Sequence, residues 1–132
     1  MDARLRDIVW RRAGSRCEYC HLPQDAALLT FHVEHIIARQ HGGLTEADNL
    51  ALACNLCNAF KGPNLTSIDP ETGEIIALFH PRSDSWQDHF TFRAGEVVGL
   101  TPAGRATVEL LNMNDSDRVD LRNEWLLEGD LS

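Results

Sequence analysis

Two pairs of cysteines constrain this chain more than any other feature of its sequence. They form two Cys-x-x-Cys motifs separated by thirty-three residues: Cys17 and Cys20, then Cys54 and Cys57. Each motif makes a tight turn that offers two thiolates to one side, and two such turns complete the tetrahedral four-sulfur site that zinc prefers. Because four cysteine ligands leave no open coordination position, we expect one structural zinc ion per chain and any chemistry elsewhere.

The cysteine pattern alone leaves other uses open. The cysteines could form two disulfides, or one pair could be redox-active as in thioredoxin-like motifs. Disulfides need an oxidising compartment, whereas the start of the chain, MDARLRDIVWRRAG, lacks the long apolar stretch of a signal peptide. No apolar run has the length of a membrane span either, so we expect a cytoplasmic protein with reduced thiols and no membrane contact. His21 is a further potential zinc ligand, which four cysteines make unnecessary.

The distribution of charge limits how the chain can meet a nucleic acid. Its 132 residues fit one domain and carry a formal charge of −8. The first 66 residues hold seven basic and seven acidic side chains, whereas the others hold five and thirteen. This excess argues against binding a polyanion by bulk electrostatics, so any contact must be local. Arg4, Arg11 and Arg12 lie in the most basic segment and are candidate phosphate contacts, although a solvated helix face explains them equally well.

Hydrophobic patterning predicts an α+β fold in two parts. The first part contains a helix over 3–13, a strand over 28–37, a long loop over 38–48, a strand over 50–53 and a short helix over 55–61. The second part is predicted to be a supporting extension of short strands and two helices: a strand over 74–79, a hairpin turned at 94–95, a helix over 102–113 and a helix over about 117–128. We expect Val119, Trp125 and Leu126 to anchor the last helix.

Three segments carry a resemblance to a known family. They are FHVEHI, then Asn49 fourteen residues after His35, then CNLCNAFKG. Together they resemble the HNH endonucleases, the ββα-metal nucleases, in the variety with two Cys-x-x-Cys zinc knuckles. The tail resembles an extension found on one subgroup of these proteins. The resemblance implies a single HNH nuclease domain over 1–132, with its core at about 15–62 and the extension at about 63–132.

The resemblance also implies a role for each candidate residue. Glu34 is a metal ligand, His35 is the general base, and Asn49 braces the long loop and so orients that base. Asn58 occupies the position where the family often has a second metal-binding histidine. Because an amide oxygen is harder than an imidazole, we expect Mg²⁺ or Mn²⁺ rather than Zn²⁺ or Ni²⁺ in the catalytic site. Lys61, one helical turn after Asn58, could neutralise a phosphate.

Each candidate also has a plain structural interpretation. Strict alternation along a strand puts His35 on the face of Val33 and Ile37, as an ordinary core histidine, and Glu34 on the opposite face with His32. Either the strand bends or ends near His35, as the catalytic assignment requires, or His32 and Glu34 form a different pair. The two asparagines would otherwise be turn and helix-start residues, and the lysine would favour a helix C-terminus.

These features together predict a metal-dependent endonuclease that hydrolyses phosphodiester bonds, with DNA as the favoured substrate. The resemblance implies products with 5′-phosphate and 3′-hydroxyl ends. The alternative is a non-catalytic, zinc-stabilised module that binds nucleic acid or protein. An acidic chain should bind DNA weakly, which suggests a homodimer or a recruiting partner. Four more side chains could line a groove, although structural roles explain them better: His41, His80, Arg82 and His89.

Overall fold

The structure, a computed structural model, describes residues 1–129. Within them the helices and strands are α1 (Ala3–Ala13), β1 (His32–His35), β2 (Leu50–Ala53), α2 (Asn55–Lys61), β3 (Thr66–Ile68), β4 (Ile75–Ala77), α3 (Trp86–His89), β5 (Phe90–Arg93), β6 (Glu96–Gly99), α4 (Pro102–Leu110) and α5 (Ser116–Leu127). The strands pair antiparallel as β1–β2, β3–β4 and β5–β6. The α+β class is confirmed.

The first half forms a ββα unit preceded by a helix. Asp2 caps α1 by accepting a hydrogen bond from Leu5 N, and Gly14 ends the helix with a left-handed φ of +62°. Strands β1 and β2 pair so that His35 lies opposite Leu50. Helix α2 follows β2 directly, with Cys54 as its N-cap. The helices predicted over 3–13 and 55–61 and the strand over 50–53 are therefore confirmed.

The strand predicted over 28–37 is wrong at both ends, because β1 covers only His32–His35. Before it, the side chain of Gln24 accepts a hydrogen bond from Phe31 N and donates one to Leu29 O, at 2.8 and 2.9 Å. These bonds occupy the backbone groups that a longer strand would pair. Because β1 ends at His35, the strand stops where the catalytic assignment of this residue needs it to stop.

The extension differs from the prediction mainly in the bounds of its elements. Strand β3 was not predicted, the strand over 74–79 shortens to Ile75–Ala77, and α4 ends at Leu110 rather than near Met113. Asn112 lies in the left-handed region at φ +46°, so the helix stops before it. The predicted hairpin is confirmed, and its turn at 94–95 has positive φ at both residues, which suits the twist of the strands.

The last helix is anchored by residues that patterning does not predict. The three expected apolar anchors of α5 are only half-buried, whereas Arg118 and Arg122 are 3% and 0% exposed. Arg122 donates hydrogen bonds to Gly95 O and Met113 O at 2.8 and 2.6 Å. Hydrogen bonds to distant carbonyls thus replace the expected apolar contacts.

One hydrophobic core joins the two halves. Its buried residues include Leu50 and Leu52 from β2 and Phe79, Phe90 and Val97 from the extension. Within residues 1–129, no helix has the length and apolar character needed to cross a membrane.

Candidate metal centre and catalytic cleft

The four cysteines meet at one buried point. Their sulfurs lie within 4.8 Å of one another. Sγ of Cys20 and Sγ of Cys54 are 3.7 Å apart, close to the edge of about 3.8 Å in a tetrahedron with zinc–sulfur bonds of about 2.3 Å. In each motif the second cysteine donates its backbone N–H to the first sulfur at 3.5 Å, which turns both sulfurs to one side. This geometry positions the four cysteines to form the predicted zinc site, and all four thiols are free of disulfides.

His21 lies next to the cysteine cluster but outside it. Its imidazole stacks on the indole of Trp86 with the ring centroids 3.9 Å apart, and burial lowers the pKa of His21 to about 4. The ring therefore packs in an aromatic group instead of serving as a ligand.

Arg118 adds a cation to the cysteine cluster. Its Nη1 donates to the sulfurs of Cys57, Cys54 and Cys20 at 3.2, 3.5 and 3.7 Å. No local sequence signal identifies this residue, because it lies in an acidic helix 61 residues beyond Cys57.

An open cleft of about 390 Å³ gathers three of the predicted catalytic residues. Glu34 and His35 reach it from the end of β1, and Asn58 reaches it from α2. Arg39, which sequence reasoning did not select, lines the same cleft from the loop after β1. Its position four residues after His35, in an otherwise uncharged stretch, is the signal that could have found it.

His35 is half-buried in this cleft. Its Nε2 lies 2.8 Å from Oγ1 of Thr45, across the long loop. Burial, and to a lesser degree the charge of Arg39, lowers the pKa of His35 below its usual value. The lowered pKa favours the neutral imidazole, which is the form that can accept a proton.

Asn49 ties the long loop to the end of β1. Its Oδ1 accepts a hydrogen bond from Ile37 N at 2.9 Å, and its Nδ2 donates to Ile37 O and Leu44 O at 3.0 and 2.9 Å. The turn at Gly43 approaches so closely that a Cβ there would lie 1.7 Å from Ile37 O. The backbone is thus fixed at Ile37, two residues after His35, and at Leu44, next to Thr45, whose hydroxyl lies beside the imidazole of His35.

Two side chains hold the carboxylate of Glu34 in place. The hydroxyl of Tyr19 donates a hydrogen bond to Oε1, and Nζ of Lys61 lies 3.7 Å from Oε2. Burial raises the pKa of Glu34, while Lys61 and Tyr19 act in the opposite direction. Lys61 is 2% exposed and donates to Ile36 O at 2.8 Å, so its ammonium group faces Glu34 rather than the surface predicted for a phosphate contact.

The predicted phosphate-contacting arginines are not equivalent. Arg12 donates to Ala47 O and Leu50 O at 3.0 and 2.8 Å, which ties α1 to the start of β2. Arg11 is exposed and forms an ion pair with Asp7 at 3.0 Å, and Arg4 is also exposed on α1. Arg4 and Arg11 are therefore available to a large anionic ligand, whereas Arg12 is engaged within the fold.

The remaining basic candidates take part in contacts within the fold. His80 Nδ1 accepts from the backbone of Arg82 and Ser83 at 3.1 and 3.2 Å, and His89 Nδ1 lies 2.6 Å from Thr101 Oγ1. His41 Nε2 lies 3.1 Å from a backbone carbonyl. The guanidinium of Arg82 forms an ion pair with Glu18.

Comparison with known proteins finds one family that the first half is similar to. The family model described as HNH endonuclease matches residues 17–64, which include β1, β2, α2 and all four cysteines. This match confirms the resemblance over residues 17–64, which we call the HNH segment, and these residues include the four cysteines that are positioned to form a zinc site. No curated protein and no solved structure matches the chain.

Proposed function

We propose that this protein is a metal-dependent endonuclease that hydrolyses phosphodiester bonds in nucleic acid, with DNA as its favoured substrate. The observation that carries the proposal is the cleft in which Glu34, His35 and Asn58 meet, within the segment that matches the HNH family. Hydrolysis of a phosphodiester needs a base for water, charge compensation at the phosphate, and alignment of the two. Each requirement has a residue in or next to this cleft.

His35 is the proposed general base. When Nε2 carries the ring proton and donates a hydrogen bond to Oγ1 of Thr45, Nδ1 has a free lone pair. That lone pair accepts a proton from the attacking water. Asn49 acts through the loop and is a positioning residue, since its three hydrogen bonds fix the chain on both sides of this contact. The lowered pKa of His35 supports the role, because the base must be neutral before it can act.

Glu34 and Asn58 are the proposed ligands of a divalent cation. Two oxygen ligands suit Mg²⁺ or Mn²⁺, which keep several positions for water and phosphate. When bound, such a cation supplies a Lewis acid that stabilises charge on the phosphate and the leaving oxygen. The carboxylate of Glu34 is fixed by Tyr19 and partly neutralised by Lys61, so in place of a phosphate contact we assign Lys61 to positioning this ligand.

Arg39 and the exposed arginines of α1 are the proposed contacts to the nucleic-acid backbone. Arg39 lines the cleft itself. Arg4 and Arg11 are exposed on α1, which Arg12 fixes to the HNH segment. The acidic extension makes the affinity weak, and a second copy or a recruiting protein would raise it.

Nicking of supercoiled plasmid in the presence of Mg²⁺ or Mn²⁺ tests the proposal. His35→Ala should lower the rate about 10²- to 10⁴-fold with zinc content unchanged. His32→Ala is the matched control, because His32 lies in the same strand and contacts Asn55 at 3.3 Å, so it should keep full activity. Products should ligate without prior phosphorylation, as 5′-phosphate ends do. Strong activity with Zn²⁺ as the only added metal would contradict the assigned ligands.

One observation favours a second candidate function. The carboxylate of Glu34 is engaged by a hydroxyl and an ammonium group of the protein itself, as it would be in a module that binds nucleic acid or protein without cutting. In that case the zinc-loaded protein would leave plasmid intact with either metal, and His35→Ala would bind nucleic acid as the wild type does.

A further inference from the structure

The guanidinium of Arg118 connects the last helix to the cysteine cluster. Its Nη1 reaches three of the four sulfurs, at 3.2, 3.5 and 3.7 Å. Its Nη2 donates to Leu111 O at 2.9 Å, and its Nε forms an ion pair with the carboxylate of Asp115 at the start of α5. The side chain is 3% exposed and is therefore fixed by these partners rather than by solvent.

A cysteine cluster of this kind carries charge that the fold must compensate. Four thiolates around a divalent zinc ion have a net charge of −2, and all four side chains are buried. A buried charge is costly unless it is paired and hydrogen-bonded. Two backbone N–H groups donate to sulfurs within the motifs, and Arg118 brings a full positive charge to the same sulfurs.

We propose that Arg118 is the outer-shell cation of the zinc centre and that zinc binding and docking of α5 stabilise each other. Without zinc, no ion holds the four sulfurs at one point, and Arg118 loses the compact group of acceptors that its Nη1 reaches. Without Arg118, the tetrathiolate keeps its full charge of −2 in a buried site. Because binding couplings are reciprocal, each loss weakens the other partner by the same factor. The proposal does not depend on the nuclease assignment.

Arg122 provides a matched control on the same helix. It lies one turn after Arg118, is equally buried, and donates to backbone carbonyls of Gly95 and Met113. Replacing either arginine by methionine removes one buried guanidinium from α5, but only the change at 118 removes donors to the sulfurs. Arg118→Lys keeps the charge and loses the fork of donors.

The zinc dissociation constant of each full-length variant, measured by competition with a chromophoric chelator, tests the proposal. Outer-shell partners of metal ligands typically contribute about 10- to 100-fold in affinity. We expect a weakening in this range for Arg118→Met, a smaller one for Arg118→Lys, and little change for Arg122→Met. In cobalt-substituted protein, the sulfur-to-metal charge-transfer absorption should shift for Arg118→Met and not for Arg122→Met. Equal losses for both methionine variants, or an unshifted band, would overturn the proposal.

Hydrogen exchange of the wild-type protein provides a second test that needs no folded variant. As a chelator gradually removes zinc, amide exchange should increase in α5 and in the two Cys-x-x-Cys motifs together, at the same zinc occupancy. If the amides of α5 stayed protected after those of the two Cys-x-x-Cys motifs had lost their protection, the coupling would be overturned.

Discussion

Between residues 17 and 64 several buried or half-buried polar side chains converge on a candidate metal centre and a cleft, whereas beyond residue 64 the buried polar side chains other than Arg118 hold the extension together. In the HNH segment the four cysteines face one point, and Glu34, His35 and Asn58 face one cleft. In the extension, by contrast, Arg105 pairs with Asp69 at 2.8 Å and Arg122 binds backbone carbonyls. The comparison teaches that burial of a charged residue indicates a site only where several such residues share one target.

Loss of zinc should have the largest effect, and it tests whether the two regions fold separately. Structural zinc contributes about 10–16 kcal/mol of binding free energy, as much as the whole stability of about 5–15 kcal/mol of a typical domain. Because one core contains residues of both regions, we expect Cys57→Ser to unfold both. Near-ultraviolet circular dichroism, together with hydrogen exchange resolved by segment, measures this. A native-like extension in the zinc-free variant would show instead that the regions are independent folding units.

The sequence predicts a region well where the residues that determine its structure lie close together in the chain. Helix α2 is predicted to the residue because its N-cap cysteine and the Gly62-Pro63 stop lie within or beside it. The zinc site is predicted because its spacing is contained in two short motifs. The loop before β1 is not predicted, because it depends on hydrogen bonds between the side chain of Gln24 and the backbone of Leu29 and Phe31.

The candidate site shows the same division. The residue types and spacing of His35, Asn49 and Asn58 indicate the cleft, since they belong to one motif. The burial of Lys61 under Glu34 and the contact of Arg118 with the sulfurs depend on partners 27 to 98 residues away, which patterning cannot locate. Hydropathy counts an arginine as a surface residue, so it also fails to predict the anchors of α5.

Two glycines allow a matched comparison of the regions with an intermediate effect. A Cβ at Gly43 would lie 1.7 Å from Ile37 O, and a Cβ at Gly104 would lie 2.2 Å from His89 O. Overpacking of this kind costs about 1–3 kcal/mol, so both alanine variants should unfold at a lower temperature than the wild type. Gly43→Ala should also lower the nicking rate about 100-fold, because it displaces the loop that positions Thr45 against His35.

The measurement is the nicking rate per zinc-loaded, folded molecule, at a temperature where both glycine variants are folded. Gly104→Ala should match the wild type, since Gly104 lies in α4, outside the cleft lining. If both variants lost activity equally, the separation between a catalytic region and a supporting region would be wrong.

The smallest expected effect concerns the pH dependence of the proposed base. The pKa of His35 is lowered by burial and by Arg39, so the neutral form persists to a lower pH than in an ordinary histidine. Activity should therefore fall only as the pH drops below the usual histidine range. Arg39→Gln removes the nearby cation and raises the pKa of His35 towards its usual value, so the acidic limb of the kcat/KM profile should move to higher pH.

Arg93→Gln is the control in the extension, because it removes the same charge from an exposed position at the end of β5. It should leave the midpoint of the acidic limb unchanged at physiological ionic strength, where exposed charges beyond about 8 Å are largely screened. Added salt should reduce the difference between Arg39→Gln and the wild type for the same reason. If both variants moved the midpoint equally, the net charge of the chain, rather than the local position of Arg39 in the cleft, would determine the titration of His35.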